Sequence, residues 1–132
     1  MPRKPIEYPT VEGIIQANKR VLKEIRVKKA DRHQVFSRET IAQVLKKAQA
    51  RKGDVYDKAA ILLAGLVRSH AFASGVRRTA IVTTASFLKM NGQNLRLPFD
   101  TEVLKGIREE FYTIKEIKYW LKGREIRKFE RT

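Results

Sequence analysis

Cysteine is absent from this chain of 132 residues, which excludes disulfides, zinc-thiolate sites, iron-sulfur clusters and thiol nucleophiles. Histidine is scarce as well, and two histidines without cysteine disfavour a structural zinc site. Long apolar runs are also missing, because the longest, residues 59–67, is too short to cross a bilayer. No segment resembles the apolar core of a secretory signal. We therefore expect a cytoplasmic protein with no membrane partner.

Acidic residues are outnumbered: 14 Asp and Glu stand against 29 Lys and Arg, a formal net charge of +15. A charge of this size attracts polyanions over a Debye length or more. Nucleic acid, nucleotide phosphates and acidic proteins all meet that description. Many lysine-rich surfaces serve solubility alone, so charge by itself does not choose among these partners.

Alternation of polar and apolar residues is not found over five or more positions, whereas helical spacing recurs along the whole chain. Thr10 is placed to cap a first helix, which we expect to end near Lys28 and Lys29. Ser37 is placed to cap a second helix, and Lys52-Gly53-Asp54 stops it. The apolar stripes of these two helices are Val11, Ile14, Ile15, Leu22 and Ile25, then Ile41, Val44, Leu45 and Ala48.

The third predicted helix, residues 55–67, is apolar almost all round, which places it in the middle of a bundle. A fourth helix is predicted in residues 77–90, and Asn91-Gly92 supplies its C-terminal stop. Residues 95–98 follow as an extended stretch. The chain therefore reads as helices joined by short loops up to this point.

Two more helices complete the prediction. Asp100 is placed to cap a fifth, which includes Leu104, Ile107 and Phe111, and a capping box at Thr113-Ile114-Lys115-Glu116 opens the last. The fold class is therefore all-α: a single-domain bundle of about six helices over residues 1–132, with room for one short β-hairpin. A basic arm, residues 1–9, precedes the bundle, and a charged tail, residues 124–132, follows it.

The loop between the third and fourth helices, residues 70–80, reads HAFASGVRRTA. The first N–H groups of a helix have no partner within it, and with the helix dipole they attract anions. Gly75 allows positive φ and a close approach to a phosphate, and Arg77 and Arg78 add phosphate-binding guanidinium groups. Histidine takes up protons near neutral pH, so His70 is a candidate base for a hydroxyl that attacks this phosphate.

Each of these residues also has a purely structural interpretation. A histidine at a helix end is more often a cap or a core residue, and a phenylalanine such as Phe72 usually belongs to the core. Paired arginines on a helix usually form a solvated face. These residues occur together within nine positions directly after a buried helix. The combination is explained about equally well by a phosphate-binding loop and by a plain basic loop.

The loop resembles the signature of the Fic and Doc family, which reads H-P-F-x-(D/E)-G-N-(G/K)-R and continues with T-A in the Doc branch. Three further segments resemble death-on-curing proteins of that branch, in the right order and spacing. PTVEGIIQANKRVL is similar to their first helix, DVYDKAAILLAGLVRS to the apolar helix before the motif, and FLKMNGQNLRLP to the segment after it. The resemblance covers most of the chain and implies a Fic/Doc-like fold.

The resemblance implies a role for each matching residue. His70 corresponds to the general base that activates a target hydroxyl. Gly75, Val76 and Arg77 correspond to the anion hole for nucleotide phosphates, and Arg78 to an arginine that contacts a phosphate. Fic members typically transfer AMP from ATP to a protein hydroxyl, whereas Doc toxins phosphorylate one, with a translation factor as the best-known target class.

Two positions depart from the family pattern. Ser74 stands where the family has the acidic Mg²⁺ ligand, and Val76 where it has an asparagine that orients the loop and phosphates. A hydroxyl is a poor neutral substitute for carboxylate on a hard cation, and losing metal stabilisation costs orders of magnitude in rate. Arg77 adds a cation that offsets part of this loss. ATP or another nucleotide is the expected donor, no residue is assigned to a metal, and the use of Mg²⁺ stays open.

The family's inhibitory motif, (S/T)-x-x-x-E-(G/N), has only a weak counterpart in residues 8–13, where tyrosine takes the first place. Glu12 reads equally well as an ordinary acidic residue in the first turn of a helix. Without an internal inhibitor, a toxin of this type needs a separate antitoxin chain. An acidic or disordered antitoxin would suit the +15 surface.

Three functions are compatible with these patterns. The first is a Doc-like transferase that modifies a protein hydroxyl through His70, by phosphorylation or AMP transfer. The second is a protein of the same fold that has lost catalysis and binds nucleotide, nucleic acid or an acidic partner. The third, ranked last, is a basic helical nucleic-acid-binding protein. Its stacking and phosphate-contacting face would be formed by Tyr112, Tyr119, Trp120 and the Lys and Arg residues of 115–128. Helical spacing instead favours Tyr119 and Trp120 as flanking surface or as a protein contact. The target, the antitoxin and the oligomeric state are not encoded in any visible motif.

Overall fold

Helices account for the regular structure of the described part of the chain, as the spacing of apolar side chains predicts. The computed structural model describes residues 5–24, 32–95 and 100–130. Within these residues six helices follow in order: α1 (Val11–Glu24), α2 (Arg38–Ala50), α3 (Val55–Arg68), α4 (Val76–Met90), α5 (Thr101–Arg108) and α6 (Ile114–Leu121). In this part of the chain no helix is long and apolar enough to span a membrane. The all-α prediction is confirmed.

Helix α3 lies at the centre because it is apolar on nearly every side. It packs against α2, α4, α5 and α6, and its side chains Leu62, Leu63 and Leu66 are almost fully buried. Burial of one such leucine contributes about 1.5–3 kcal/mol relative to leaving it exposed. Helix α1 packs on α4 and α2, so the chain segment after α3 returns against the first helix.

Side-chain caps begin the helices where the sequence predicts them. Thr10, Ser37, Asp100 and Thr113 each accept a hydrogen bond from a backbone N–H of the helix that follows. Such a cap typically stabilises a helix by about 1 kcal/mol. One cap was missed: Asp54, expected only to stop α2, accepts hydrogen bonds from the first turn of α3.

Two predictions about the C-terminal third are wrong. The sequence places Phe111 inside the fifth helix, but α5 ends at Arg108, and Glu110 takes a left-handed φ of 60°. The sequence places Trp120 at the surface, but it is 7% exposed and Tyr112 is 3% exposed. Both rings belong to the apolar core, so they cannot form a stacking face for bases.

The described part of the charged tail, residues 124–130, packs on α5 and α6. The Phe129 ring meets the Phe111 ring edge-on, with centroids 5.3 Å apart. Tyr112 donates from its hydroxyl to Arg127 O at 2.9 Å, and Arg127 Nε lies 2.7 Å from Glu116 Oε2. Other predictions lie outside the described residues: the helix end near Lys28 and Lys29, the stretch 96–98, residues 1–4 of the basic arm and residues 131–132 of the tail.

Candidate functional site

The candidate phosphate loop connects the end of α3 to the start of α4. Helix α3 ends at Arg68, and the next residue, Ser69, donates from its Oγ to Leu66 O at 2.8 Å. His70 follows directly and is exposed. The structure therefore places the candidate base where another molecule can reach its imidazole.

Gly75 ends the loop in a conformation that other residues rarely adopt. Its φ of 73° and ψ of 21° are left-handed. A Cβ added to Gly75 would lie 3.0 Å from Leu22 Cδ2 and 3.4 Å from Asn18 Nδ2, so the turn is packed closely on α1. Gly75 also brings no side-chain oxygen to cap α4. The first N–H groups of this helix, which lack partners within it, are donors suited to an anion.

Val76, Arg77 and Arg78 form the first turn of α4, and all three are half-buried. The first turn of every other helix in the described residues carries an acidic residue, whereas that of α4 carries none. The positive end of the helix dipole favours negative charge nearby, so two cations in this turn oppose it. A phosphate would be attracted both by the helix terminus and by the arginine side chains, so the residues present are compatible with a phosphate ligand.

A β-bridge holds the loop from another side. Phe72 is 4% exposed, as expected of a phenylalanine that belongs to the core, and it pairs in antiparallel fashion with Val35. Backbone hydrogen bonds of 2.7 and 3.0 Å flank this pair. We call residues 32–36 the bridging segment. It lies far from the loop in sequence, so the bridge is not the short hairpin for which the sequence left room.

Sequence reasoning missed Asn18, a polar residue buried beneath the loop. Its exposed fraction is 0%. Its Nδ2 donates to Ser74 O at 2.8 Å and to Thr79 Oγ1 at 3.0 Å, and its Oδ1 lies 2.8 Å from His33 Nδ1. A signal was present, because a polar side chain one helical turn before Leu22 falls on the apolar stripe of α1, where it must find hydrogen-bond partners.

Residues 70–80 contain no Asp or Glu whose carboxylate could bind Mg²⁺. Ser74 takes the place of the acidic ligand, and its Oγ accepts a long hydrogen bond of 3.4 Å from Arg32 N. Across the described ranges no cluster of three or more His, Asp or Glu side chains could hold a metal ion.

Comparison with known proteins converges on the same region. The model of the Fic/DOC family matches residues 8–88, more than half of the chain. The chain belongs to the Fic/DOC family. It is also similar to a curated protein, Toxin Doc of Mycolicibacterium smegmatis (strain ATCC 700084 / mc(2)155), with 39% identity over 59 residues. That alignment covers 45% of each protein, so the chain matches less than half of the length of this relative.

The Fic/DOC match contains the whole loop and the segments that hold it. Residues 8–88 include α1, the bridging segment, α2, α3 and most of α4. Family membership, predicted from the motif, is confirmed, while the roles of individual loop residues stay predictions. Glu12, in the weak counterpart of the family's inhibitory motif, forms an exposed ion pair of 2.7 Å with Arg38 of α2.

Proposed function

We propose that this Fic/DOC protein is a Doc-like toxin that transfers a group from a nucleotide to a protein hydroxyl. The observation that carries the proposal is the loop geometry: an exposed His70 and a left-handed Gly75 at the start of α4, within the residues that match the family. Similarity to a protein named Toxin Doc supports the toxin class. ATP is the donor that the resemblance implies.

His70 acts as the general base. Its exposed imidazole takes the proton of a docked hydroxyl while the oxygen attacks phosphorus. Gly75, Val76 and Arg77 supply backbone N–H groups and positive charge for the phosphates. Arg78, in the same turn, stabilises the charge that develops on the transferred group. If ATP is the donor, attack on the α phosphorus transfers AMP and releases pyrophosphate, whereas attack on the γ phosphorus transfers the terminal phosphate and releases ADP.

Ser74 and Val76 lower the expected rate. A carboxylate at position 74 would contribute a metal ligand, and metal stabilisation of phosphoryl transfer is worth several kcal/mol. An asparagine at position 76 would add an amide that orients the loop and phosphates. The charge of Arg77 offsets part of this loss, so we expect a slow transferase.

A second candidate function is binding without catalysis. The neutral Ser74, whose hydroxyl accepts from Arg32 N at 3.4 Å, favours it, as does the net charge of +15. In this case the protein holds nucleotide, nucleic acid or an acidic partner and transfers nothing. Its affinity should fall steeply as salt rises, because binding releases counterions from the polyanion.

The proposed partners follow from the toxin class and the charge. We propose a cytoplasmic protein target, of which a translation factor is the class that the resemblance suggests. An antitoxin chain with an acidic or disordered binding segment would complement the +15 surface. Such complementarity speeds association and weakens as salt screens it.

The transfer reaction is tested with ATP labelled at the α or the γ phosphate, with Mg²⁺ or Mn²⁺ and a cell lysate as acceptor source. Protein-bound label from the α position means AMP transfer, and label from the γ position means phosphorylation. His70→Ala should lower transfer by about 10²–10⁴-fold while ATP affinity, measured by calorimetry, stays near the wild-type value. Equal labelling in both proteins would refute His70 as the base.

Two further variants separate the candidate functions. Arg78→Ala should weaken ATP binding by about tenfold or more, whereas Arg51→Ala should not. Arg51 is the control because it is exposed and follows α2, near the opposite end of α3 from the loop. The double variant Ser74→Asp and Val76→Asn should raise transfer. ATP binding without label in the wild type and the double variant would establish the binding function instead.

A further inference from the structure

The side-chain amide of Asn18 makes hydrogen bonds to the loop, to the start of α4 and to the bridging segment. Both hydrogens of Nδ2 are taken, by Ser74 O and by Thr79 Oγ1, and Oδ1 contacts His33 Nδ1 in the bridging segment. Because Asn18 is completely buried, water does not replace a lost partner, and an unsatisfied buried amide is costly. The bonds therefore tie α1, the loop and the bridging segment to one another.

The directions of these hydrogen bonds place a hydrogen on the His33 ring. Ser74 O is a carbonyl oxygen that only accepts, so the nitrogen of the Asn18 amide must face it and the amide oxygen must face His33. Since that oxygen also only accepts, His33 Nδ1 carries a hydrogen and donates it. Protonation of Nε2 leaves this bond intact, so His33 orients Asn18 in either charge state.

The bonds of Asn18 bracket the turn that would bind phosphate. Ser74 precedes the left-handed Gly75, and Thr79 N donates to Gly75 O at 2.9 Å in the first turn of α4. The amide nitrogen of Asn18 lies directly beneath the turn, 3.4 Å from where a Cβ on Gly75 would sit. Movement of this amide would therefore move the N–H groups at the start of α4.

We propose that Asn18 and His33 are positioning residues for nucleotide binding. Asn18 holds the Gly75 turn so that the first N–H groups of α4 are aimed at a phosphate, and His33 locks the Asn18 amide in the required orientation. The ligand class rests on the proposed function, whereas the positioning of the turn does not. Both residues act through the loop and take no part in the reaction itself.

The first test replaces the donor of Asn18 without changing its size. In Asn18→Asp an acceptor faces Ser74 O, so we expect ATP affinity to fall by about tenfold or more and amide hydrogen exchange at Thr79 to accelerate by a similar factor. For the transfer reaction, KM for ATP should rise more than kcat falls. Asn91→Asp is the matched control, because Asn91 also makes three hydrogen bonds but at the opposite end of α4. It should lower stability and leave ATP affinity unchanged.

The second test uses a matched pair of substitutions at the exposed His33. His33→Asn keeps an N–H donor near the place of Nδ1, whereas His33→Phe keeps a flat ring without a donor. We expect ATP affinity and Thr79 exchange close to wild type in the first variant and changed by about tenfold in the second. In the wild-type protein, nitrogen NMR of the neutral His33 ring should show the hydrogen on Nδ1.

Two results would overturn the positioning role: unchanged Thr79 exchange and ATP affinity in Asn18→Asp, or a neutral His33 ring with its hydrogen on Nε2. If Asn18→Asp fails to fold, the comparison of His33→Asn with His33→Phe, at an exposed position, tests the same role. If the wild-type protein does not bind ATP, the proposed function fails. Hydrogen exchange and NMR then still decide whether Asn18 and His33 hold the turn.

Discussion

At the scale of single residues, Gly75 and Gly92 form a natural pair for measuring how tightly the loop is packed. Both have left-handed φ, 73° and 77°, but an added Cβ at Gly75 meets Leu22 at 3.0 Å, while at Gly92 it meets nothing within 4 Å. Gly92→Ala should therefore cost about 1–2 kcal/mol of unfolding free energy, from backbone strain alone. Gly75→Ala should cost more and also weaken ATP binding, as chemical denaturation and calorimetry would show. Equal losses of stability in the two variants would mean that the Leu22 side chain moves away from the new methyl group without a measurable energetic penalty.

Lys58 gives a second prediction at this scale. It is 8% exposed, and its Nζ donates to the backbone oxygens of Gln49 at 3.0 Å and Arg51 at 2.7 Å at the end of α2. Lys58→Met keeps the length of the side chain and leaves these carbonyls unsatisfied, so unfolding free energy should fall by about 1–3 kcal/mol. Lys47→Met removes the same charge from an exposed position on α2 and should change stability little. If both variants lost a similar amount of unfolding free energy, the cause would be the removed charge and not the hydrogen bonds to the end of α2.

At the scale of elements, one carboxylate links α6 to the tail and makes their association sensitive to acid. Hydrogen bonds from Arg127 hold the pKa of Glu116 below its usual value, against the opposing effect of burial. A carboxyl group with a lowered folded-state pKa stabilises the fold above its unfolded pKa, about 4.3, and loses that contribution as pH falls through the folded value. Wild type should therefore be more stable than Glu116→Gln at pH 7, and the difference should shrink below about pH 4.3.

The control for this experiment is Glu125→Gln, which removes an equal charge from an exposed residue of the same tail. Unfolding free energies of the three proteins, measured by denaturant titration between neutral and acidic pH, separate the local pair from the general effect of charge. A difference between wild type and Glu116→Gln that stays constant through the acidic range would contradict the assigned link between α6 and the tail.

At the scale of the whole molecule, the net charge of +15 sets how stability responds to salt. Self-repulsion destabilises a compact state that is far from neutral. Raising salt from about 0.01 M to about 0.15 M shortens the Debye length from about 30 Å to about 8 Å, so the thermal midpoint should rise. Lys46→Glu combined with Lys47→Glu lowers the net charge and should weaken this response. A midpoint that falls with salt would show that screened ion pairs outweigh the repulsion.

The helices were predictable because their signals are local. Thr10, Ser37 and Asp100 mark helix starts through side chains that bond within three residues. The apolar circumference of α3 also predicts its central place, since no other position buries every face. The helix membership of Phe111 and the exposure of Trp120 were predicted wrongly, because both depend on contacts with the tail and with distant helices. Helical spacing carries no information about such contacts.

By itself, the sequence determined the all-α class, the excess of positive charge and the loop that carries the family signature, because these depend on composition and on neighbours along the chain. Only the tertiary structure decided how the loop is held. Asn18 meets Ser74 across 56 positions of sequence and His33 across 15, and the left-handed Gly75 rests on α1. Such contacts form because packing brings distant segments together and burial then demands that their polar groups pair.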